Sequence, residues 1–150
     1  MKKLIFTLLV SVIGLVSLAQ TDSIKANAII KSIVDLDSKK TASYLLKSTN
    51  LAVNDCKEEM YDFTPTPVEQ GKNKAIAKKV IDIITNEIGT NFIVTWADCF
   101  SVSDFWEDTP IAIIFILTKS DGTRMKINLF ADCSFKVHDV TIYLNTCKHF

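Results

Sequence analysis

The sequence predicts an α+β domain in which N-terminal helices pack on a curved antiparallel sheet of about four to five strands, a cone-like roll. Apolar residues recur at helical spacing through the first half of the chain, and the spacing changes to two from residue 91 onward. Turn residues separate the later segments. A chain of 150 residues, 48% of them hydrophobic, is long enough for one domain with its own core.

The first 19 residues have the pattern of a secretory signal peptide. Two lysines stand near the start, residues 4–16 are largely apolar, and Ser17 and Ala19 precede a cut before Gln20. The apolar stretch is shorter than the ~20 residues that a membrane-spanning helix needs. We therefore expect residues 1–19 to be removed and the chain to be exported, to the periplasm or the medium, without a membrane anchor.

The exported chain, residues 20–150, is one faintly acidic domain. Removing Lys2 and Lys3 from the 17 basic residues leaves 15 against 17 acidic residues, a net charge of −2. The chain has a single arginine, Arg124. This composition argues against nucleic acid as a partner, because nucleic-acid-binding domains carry a basic patch.

The first half of this domain predicts three helices and a polar connector. A first helix begins at Thr21 or Asp22, and a kink near residues 37–38 leads to a second, short helix. The apolar residues of these two helices are Ala26, Ile29, Ile30, Ile33 and Leu36, then Ala42, Leu45 and Leu46. Residues 50–72 are a polar connector with one short strand near 60–64. A third helix ends at Gly89, since glycine readily takes the left-handed conformation that follows a helix.

The second half predicts four strands. Residues 91–99 alternate in polarity, and residues 111–118 are apolar on both faces, which is typical of a central strand. Residues 120–123 form a hairpin turn in which Gly122 takes a positive φ. In the last strand the apolar positions change phase at His138 and Asp139, which predicts a β-bulge there.

Export changes the interpretation of the four cysteines. An even number of cysteines in an oxidising compartment predicts two disulfides, and we favour Cys99–Cys133 and Cys56–Cys147 among the three pairings. In a simple meander Cys99 and Cys133 reach the same end of the sheet. They lie about 9.6 Å apart there, so a bridge requires the sheet to curl or the loop after Phe100 to fold back.

The order of elements is similar to that of a known scaffold. The helical pair over 24–46, the entry to the third helix at 71–76 and the closing hairpin at 130–137 resemble the nuclear-transport-factor-2-like superfamily, whose cone-shaped fold is shared with ketosteroid isomerases. The family usually has a glycine in that last hairpin, where this chain has Cys133 and Ser134. The resemblance implies a pocket between sheet and helices, but no reaction, because fold does not determine function.

The candidate binding residues lie around the loop 99–110. Phe100, Phe105 and Trp106 stand there among three carboxylates, a combination that suits a sugar, a peptide or a cationic group. The alternative is that these aromatic side chains close one end of the core. Trp96 and Asp98 share one face of their strand, which we expect to face the interior or the pocket. The alternative to a site role is core packing of Trp96 and an exposed strand end for Asp98.

Catalytic chemistry has weaker support in the sequence. A buried Asp98, or His138 with Asp139, could act as a general base, and His149 adds a second imidazole. The sequence has no metal-ligand spacing, no cofactor motif and no catalytic motif. Two hypotheses follow: a non-enzymatic exported module that binds a small apolar ligand or a protein partner, and a small isomerase-like or hydrolase-like pocket enzyme.

Overall fold

The computed structural model describes residues 22–55, 69–101 and 111–145. Three helices pack on a curved, unclosed six-stranded sheet, which confirms the α+β class. The helices are α1 over 22–34, α2 over Ser38–Tyr44 and α3 over Asn73–Ile88. The strands are β1 Leu45–Asn54, β2 Glu69–Lys72, β3 Phe92–Ser101, β4 Ile111–Lys119, β5 Arg124–Ala131 and β6 Val137–Tyr143.

The strands lie in the order β2-β1-β6-β5-β4-β3. The antiparallel meander from β3 to β6 confirms the four strands predicted for the second half of the chain. The sheet is mixed, however, because β1 pairs with β6 in parallel and with β2 antiparallel. The described sheet therefore has one strand more than the upper end of the prediction.

The prediction for residues 45–54 was wrong. Leu45 and Leu46 were assigned to the second helix, but α2 ends at Tyr44, and these two leucines begin β1. Their spacing from Ala42 fits a helix equally well, so local periodicity could not separate the alternatives. Pairing with β6, some 90 residues further along the chain, favours the strand, as Leu51 against Val140 illustrates. The short strand predicted near 60–64 lies outside the described residues.

The end of α1 confirms the predicted break. Leu36 has φ 54°, and its N–H donates to the carbonyl of Ile33 at 3.0 Å. The N–H of Asp37 donates to the carbonyl of Ser32 at 3.1 Å. This is a Schellman motif with leucine where glycine is usual. The Asp37 carboxylate then accepts a hydrogen bond from the N–H of Lys40 at 2.9 Å, capping α2.

The third helix agrees closely with its sequence prediction. It runs to Ile88, and Gly89 follows with φ 80° and an N–H that donates to the carbonyl of Thr85. The buried residues of its inner face are Ile76, Ala77, Val80, Ile84 and Ile88. Their spacing of three or four residues places them on one stripe of the helix against the sheet.

The core fills the space between the helices and one face of the sheet. On β4 this face carries Ile113, Phe115 and Leu117, all fully buried, while Ile114 and Ile116 on the other face are half-buried. The expected central strand is thus covered completely on its helix side. No helix in the described part of the chain is long and apolar enough to cross a membrane.

The last two hairpins of the sheet contain the predicted turn and the predicted bulge. In the β4–β5 turn Gly122 has φ 87°, and the Asp121 carboxylate accepts from the N–H of Thr123 at 2.9 Å. In the β5–β6 hairpin Ala131 pairs with Val137 but Phe130 pairs with Asp139, which leaves one extra residue in β6.

Candidate functional site: a cleft between the first helix and an edge strand

A cleft of about 390 Å³ lies between α1 and β3, at the open edge of the sheet. Helix α1 contributes Asp22, Ser23, Ala26, Asn27 and Ile30. Strand β3 contributes Ala97, Asp98, Cys99, Phe100 and Ser101. Ile111 at the start of β4 and Phe135 in the β5–β6 turn complete the lining. The volume is within the range of small-molecule sites.

The cleft exists because side chains on its walls are small. On the inner face of the sheet the neighbouring strand β4 fills its space with Phe115, whereas β3 places Ala97 beside it. Ser101 on β3 and Ala26 on α1 are also small. The core therefore ends one strand before the edge of the sheet and leaves a concave space there.

Two carboxylates stand near the Cys99 thiol. The pKa of this thiol is raised above its ordinary value of 9.0, first by partial burial and then by the carboxylates of Asp22 and Asp98. Asp22 belongs to α1, and Asp98 is the neighbour of Cys99 in β3.

Phe135 reaches the cleft through a strained turn. Its backbone has φ 59°, a left-handed conformation that is costly for a bulky residue, yet its side chain is only 4% exposed. Asp132 holds the turn, because its Oδ1 accepts from the N–H groups of Ser134 at 2.8 Å and Lys136 at 2.9 Å. The ring also carries a cation, since Nζ of Lys25 lies 5.1 Å from its centroid.

The structure separates the residues that the sequence grouped as a binding site. Phe100 and Asp98 line the cleft, and Phe105 and Trp106 lie outside the described residues. Trp96 pairs with Ile116 and is 46% exposed, on the sheet face turned away from the helices, so the expected interior position was wrong.

Asp98 shares with Trp96 the strand face that is turned away from the helices. It pairs with Ile114, and its Oδ1 accepts a hydrogen bond from the N–H of Cys99 at 2.8 Å. Its position on the edge strand brings it to the border of the cleft. Asp98 is exposed, so the buried carboxylate considered as a general base is not present here.

His138 and Asp139 form the pair that the bulge was expected to permit. Nδ1 of His138 lies 2.5 Å from Oδ2 of Asp139, and Oδ1 of Asp139 accepts from Nδ2 of Asn50 at 2.7 Å. The pair sits where β6 meets β1, and neither residue lines the cleft. His149 lies outside the described residues.

Cys99 and Cys133 are both free thiols, half-buried and exposed respectively. The favoured bridge between them is therefore not formed, and the reason is the strand order: β4 lies between β3 and β5. Two strand spacings exceed the reach of a disulfide. Cys56 and Cys147, the other favoured pair, lie outside the described residues. Among the residues described, no group of three or more His, Cys, Asp or Glu could hold a metal ion.

Sequence reasoning missed the helical wall of the cleft and Phe135. The five lining residues of α1 recur at intervals of three and four, so they form one stripe of the helix. A stripe that begins polar, with Asp22 and Ser23, and ends apolar at Ile30 was a usable signal. No sequence signal identified Phe135 as a lining residue, because its position depends on the turn conformation.

Comparison with known proteins gives matches at the level of structure. No protein-family model and no curated protein matches the sequence. A DUF4783 family protein from Bacteroides ovatus has 12% identity and a TM-score of 0.53, covering 78% of this chain and 92% of its own. A proposed polyketide cyclase from Xanthomonas campestris pv. campestris has 13% identity and a TM-score of 0.52, covering 83% and 90%.

A SnoaL-like protein of unknown function from Burkholderia thailandensis also matches, with 9% identity, a TM-score of 0.50 and coverage of 82% and 93%. SnoaL-like polyketide cyclases and isomerases belong to the nuclear-transport-factor-2-like superfamily. Identities this low concern the fold alone. The fold of this chain is therefore the nuclear-transport-factor-2-like fold that its sequence resembles.

Proposed function

We propose that this chain is an exported, non-enzymatic binding module that holds a small, largely apolar ligand in the cleft between α1 and β3. The observation that carries the proposal is the cleft itself, about 390 Å³, which combines apolar residues from α1, β3, β4 and the β5–β6 turn with polar residues from α1 and β3. Small-ligand sites are typically concave and mainly apolar, with a few polar groups that orient the ligand. Export is supported by the signal pattern of residues 1–19.

The alternative, a pocket enzyme, is favoured by one observation: Asp98 borders the cleft. A carboxylate becomes an effective base when an apolar environment raises its proton affinity. Asp98 is instead exposed, and the His138–Asp139 pair lies away from the cleft. Binding without chemistry therefore fits the cleft better.

A titration with 4-phenylbutan-1-ol tests the proposed site. We expect backbone amide NMR signals of Ala97, Cys99 and Ser101 to shift, and alkylation of the Cys99 thiol to slow as the cleft fills. Replacing Ala97 by Trp should abolish both effects, because Ala97 lines the cleft and the larger side chain occupies it.

The matched control is Ile93→Trp, on the same strand at a site that is 67% exposed and does not line the cleft. It should leave binding unchanged. Equal thermal midpoints for the two variants would show that Ala97→Trp has not simply unfolded the protein. Binding that survives Ala97→Trp, or shifts confined to other surfaces, would contradict the proposal.

A further inference from the structure

We propose that the outer edge of β3 pairs with β3 of a second copy of this chain, as two antiparallel strands related by a two-fold axis. Strand β3 pairs with β4 on one side, and within the described residues no strand pairs with its other side. An unpaired edge presents a row of backbone N–H and C=O groups to which a further strand can bond. This pairing does not depend on a ligand in the cleft.

The two outermost strands of the described sheet differ in how well they resist pairing. Strand β2 has only four residues, and it carries Glu69 and Lys72. Strand β3 has ten residues, of which Asp98 alone is charged, and a shift of register next to Thr95 is its one irregularity. Short, charged strands are a common protection of natural sheet edges, and β3 lacks most of that protection.

Exposed apolar side chains concentrate on the same strand. Among the described residues six large apolar side chains are exposed, and β3 holds four of them: Ile93, Val94, Trp96 and Phe100. Trp96 and Phe100 share the sheet face turned away from the helices, with Asp98 between them. Contact with another apolar strand removes such side chains from water, so it is favourable.

Other segments of the same chain are poorly placed to cover this edge. Residues 102–110 leave β3 at Ser101 and must return to β4, so these nine residues can pass only the last few positions of β3. With residues 1–19 removed, two residues precede α1. Residues 56–68 join β1 to β2 at the opposite edge, and the five residues 146–150 follow β6, three strands away. The edge is therefore left for another chain.

A second β3 is a suitable partner because the strand is compatible with itself. Antiparallel copies related by an axis perpendicular to the sheet pair residues of the same face. With the axis at Ala97 or Cys99, Asp98 lies opposite Trp96 or Phe100 of the second copy, so the one carboxylate meets no like charge. Each copy uses the same edge, so the association closes at a dimer.

The size of this contact determines the expected affinity. Ten residues from each copy are fewer than the roughly 20–30 of a standard protein interface, which predicts a weak, concentration-dependent dimer. We expect a dissociation constant of about 100 µM. Because β3 forms one wall of the cleft, the added strand would extend that wall.

Sedimentation equilibrium of the chain from residue 20 to 150, between about 5 µM and 1 mM, measures this dimer. Hydrogen exchange at both ends of that range locates the contact. We expect alternate backbone amides between residues 96 and 101 to exchange more slowly in the dimer, because alternate N–H groups of an edge strand point away from its neighbour. The exchange measurement on the wild-type protein decides the proposal without any variant.

Two double variants test the charge argument at exposed positions. Trp96→Glu with Phe100→Glu places new carboxylates opposite Asp98 for either axis, whereas Trp96→Lys with Phe100→Lys places ammonium groups there. The lysine variant should dimerise at least about tenfold more tightly than the glutamate variant. Equal thermal midpoints would show that both variants are folded.

The matched control is Ile24→Glu with Leu46→Glu, which adds the same charge at exposed apolar residues outside β3 and should dimerise as the wild-type protein does. A protein that stays monomeric up to about 1 mM would overturn the proposal. A dimer in which the β3 amides exchange as fast as in the monomer would also overturn it, because the contact would then lie on another surface. Neither result would affect the proposed ligand site, which the Ala97→Trp titration tests separately.

Discussion

Phe135 combines an unfavourable backbone with a buried side chain. A left-handed conformation costs a non-glycine residue about 1–2 kcal/mol, and burial of the ring against Lys25 and the core offsets that cost. At this strained position the chain places an aromatic ring in the cleft wall. A strained backbone conformation therefore occurs at a residue that lines the candidate site.

The strain at Phe135 predicts an unusual order of variants. Phe135→Ala and Phe135→Gly both remove the ring and should each lower the free energy of unfolding, by about 3 kcal/mol for alanine. Glycine should be about 1 kcal/mol more stable than alanine here, because it adopts a positive φ without the steric cost. Urea unfolding of the wild-type protein and the two variants measures these stability differences. An alanine variant as stable as the glycine variant would show that the turn is not strained.

Asp121 makes the stability of the fold depend on pH in the acid range. Hydrogen bonds from the Thr123 side chain and from the Thr123 N–H, together with Lys119, whose Nζ lies 3.2 Å from the carboxylate, lower its pKa from 3.8 to about 2. Because the folded pKa is lower than the unfolded one, the stabilisation is present above pH 3.8 and is lost as the pH falls toward 2.

The corresponding variant is Asp121→Asn, which keeps the acceptor oxygen but cannot titrate. We expect the stability difference between wild type and variant to be constant above about pH 4 and to shrink between about pH 4 and pH 2. Thermal unfolding across that range measures the difference, with Asp82→Asn as an exposed carboxylate control. A difference that stays constant down to about pH 2 would contradict the assignment.

At the scale of elements, the break between α1 and α2 combines the Schellman motif at Leu36 with one side-chain cap at the start of α2. The Asp37 carboxylate accepts from the N–H of Lys40, and Asp37 stands at the start of a helix of only seven residues. We expect Asp37→Ala to lower the free energy of unfolding by about 1 kcal/mol. Asp37→Asn should retain most of the stabilisation that the cap provides. Denaturant unfolding is the measurement. Asp82→Ala, which removes an exposed ion pair with Lys78, should stay within about 0.5 kcal/mol of wild type.

The elements that were predicted well share one property. Helix α3 has an apolar pattern of helical period, β5 alternates with a period of two, and β4 is a short, continuously apolar run, while Gly89 follows α3 and Gly122 lies in the turn after β4. The bulge at His138 could also be predicted from the sequence, because the apolar residues of β6 change phase there. In each case the information is local: burial of one face imposes the spacing on the sequence.

The elements that were predicted wrongly depend on distant partners. Leu45 and Leu46 fit a helix or a strand, residues 50–54 were predicted as part of a polar connector, and the parallel pairing with β6 makes the whole segment a strand. The alternation of side chains around Trp96 is the same whichever face of β3 lies inside. Which face lies inside is decided by the side of β4 that the helices cover. Strand propensity is context-dependent for this reason.

At the scale of the whole molecule, the cleft results from where the core ends. Helix α1 covers the sheet as far as β3, where small side chains replace the large ones of β4, and within the described residues no strand pairs with the outer edge of β3. The favoured cysteine bridge fails at the same scale, because strand order separates Cys99 from Cys133. Neither feature has a signature in any one segment.

The amino-acid sequence alone determined the α+β class, the meander of its second half, the C-terminal end of α3 and the bulge in β6. These follow from periodicity and turn residues, which act between neighbours in the chain. Only the tertiary structure decided that 45–54 is a strand, that Trp96 faces outward, and that Asp22, Asp98 and Phe135 border one cleft. These depend on contacts between segments far apart in the chain, whose geometry arises when the helices and the sheet pack together.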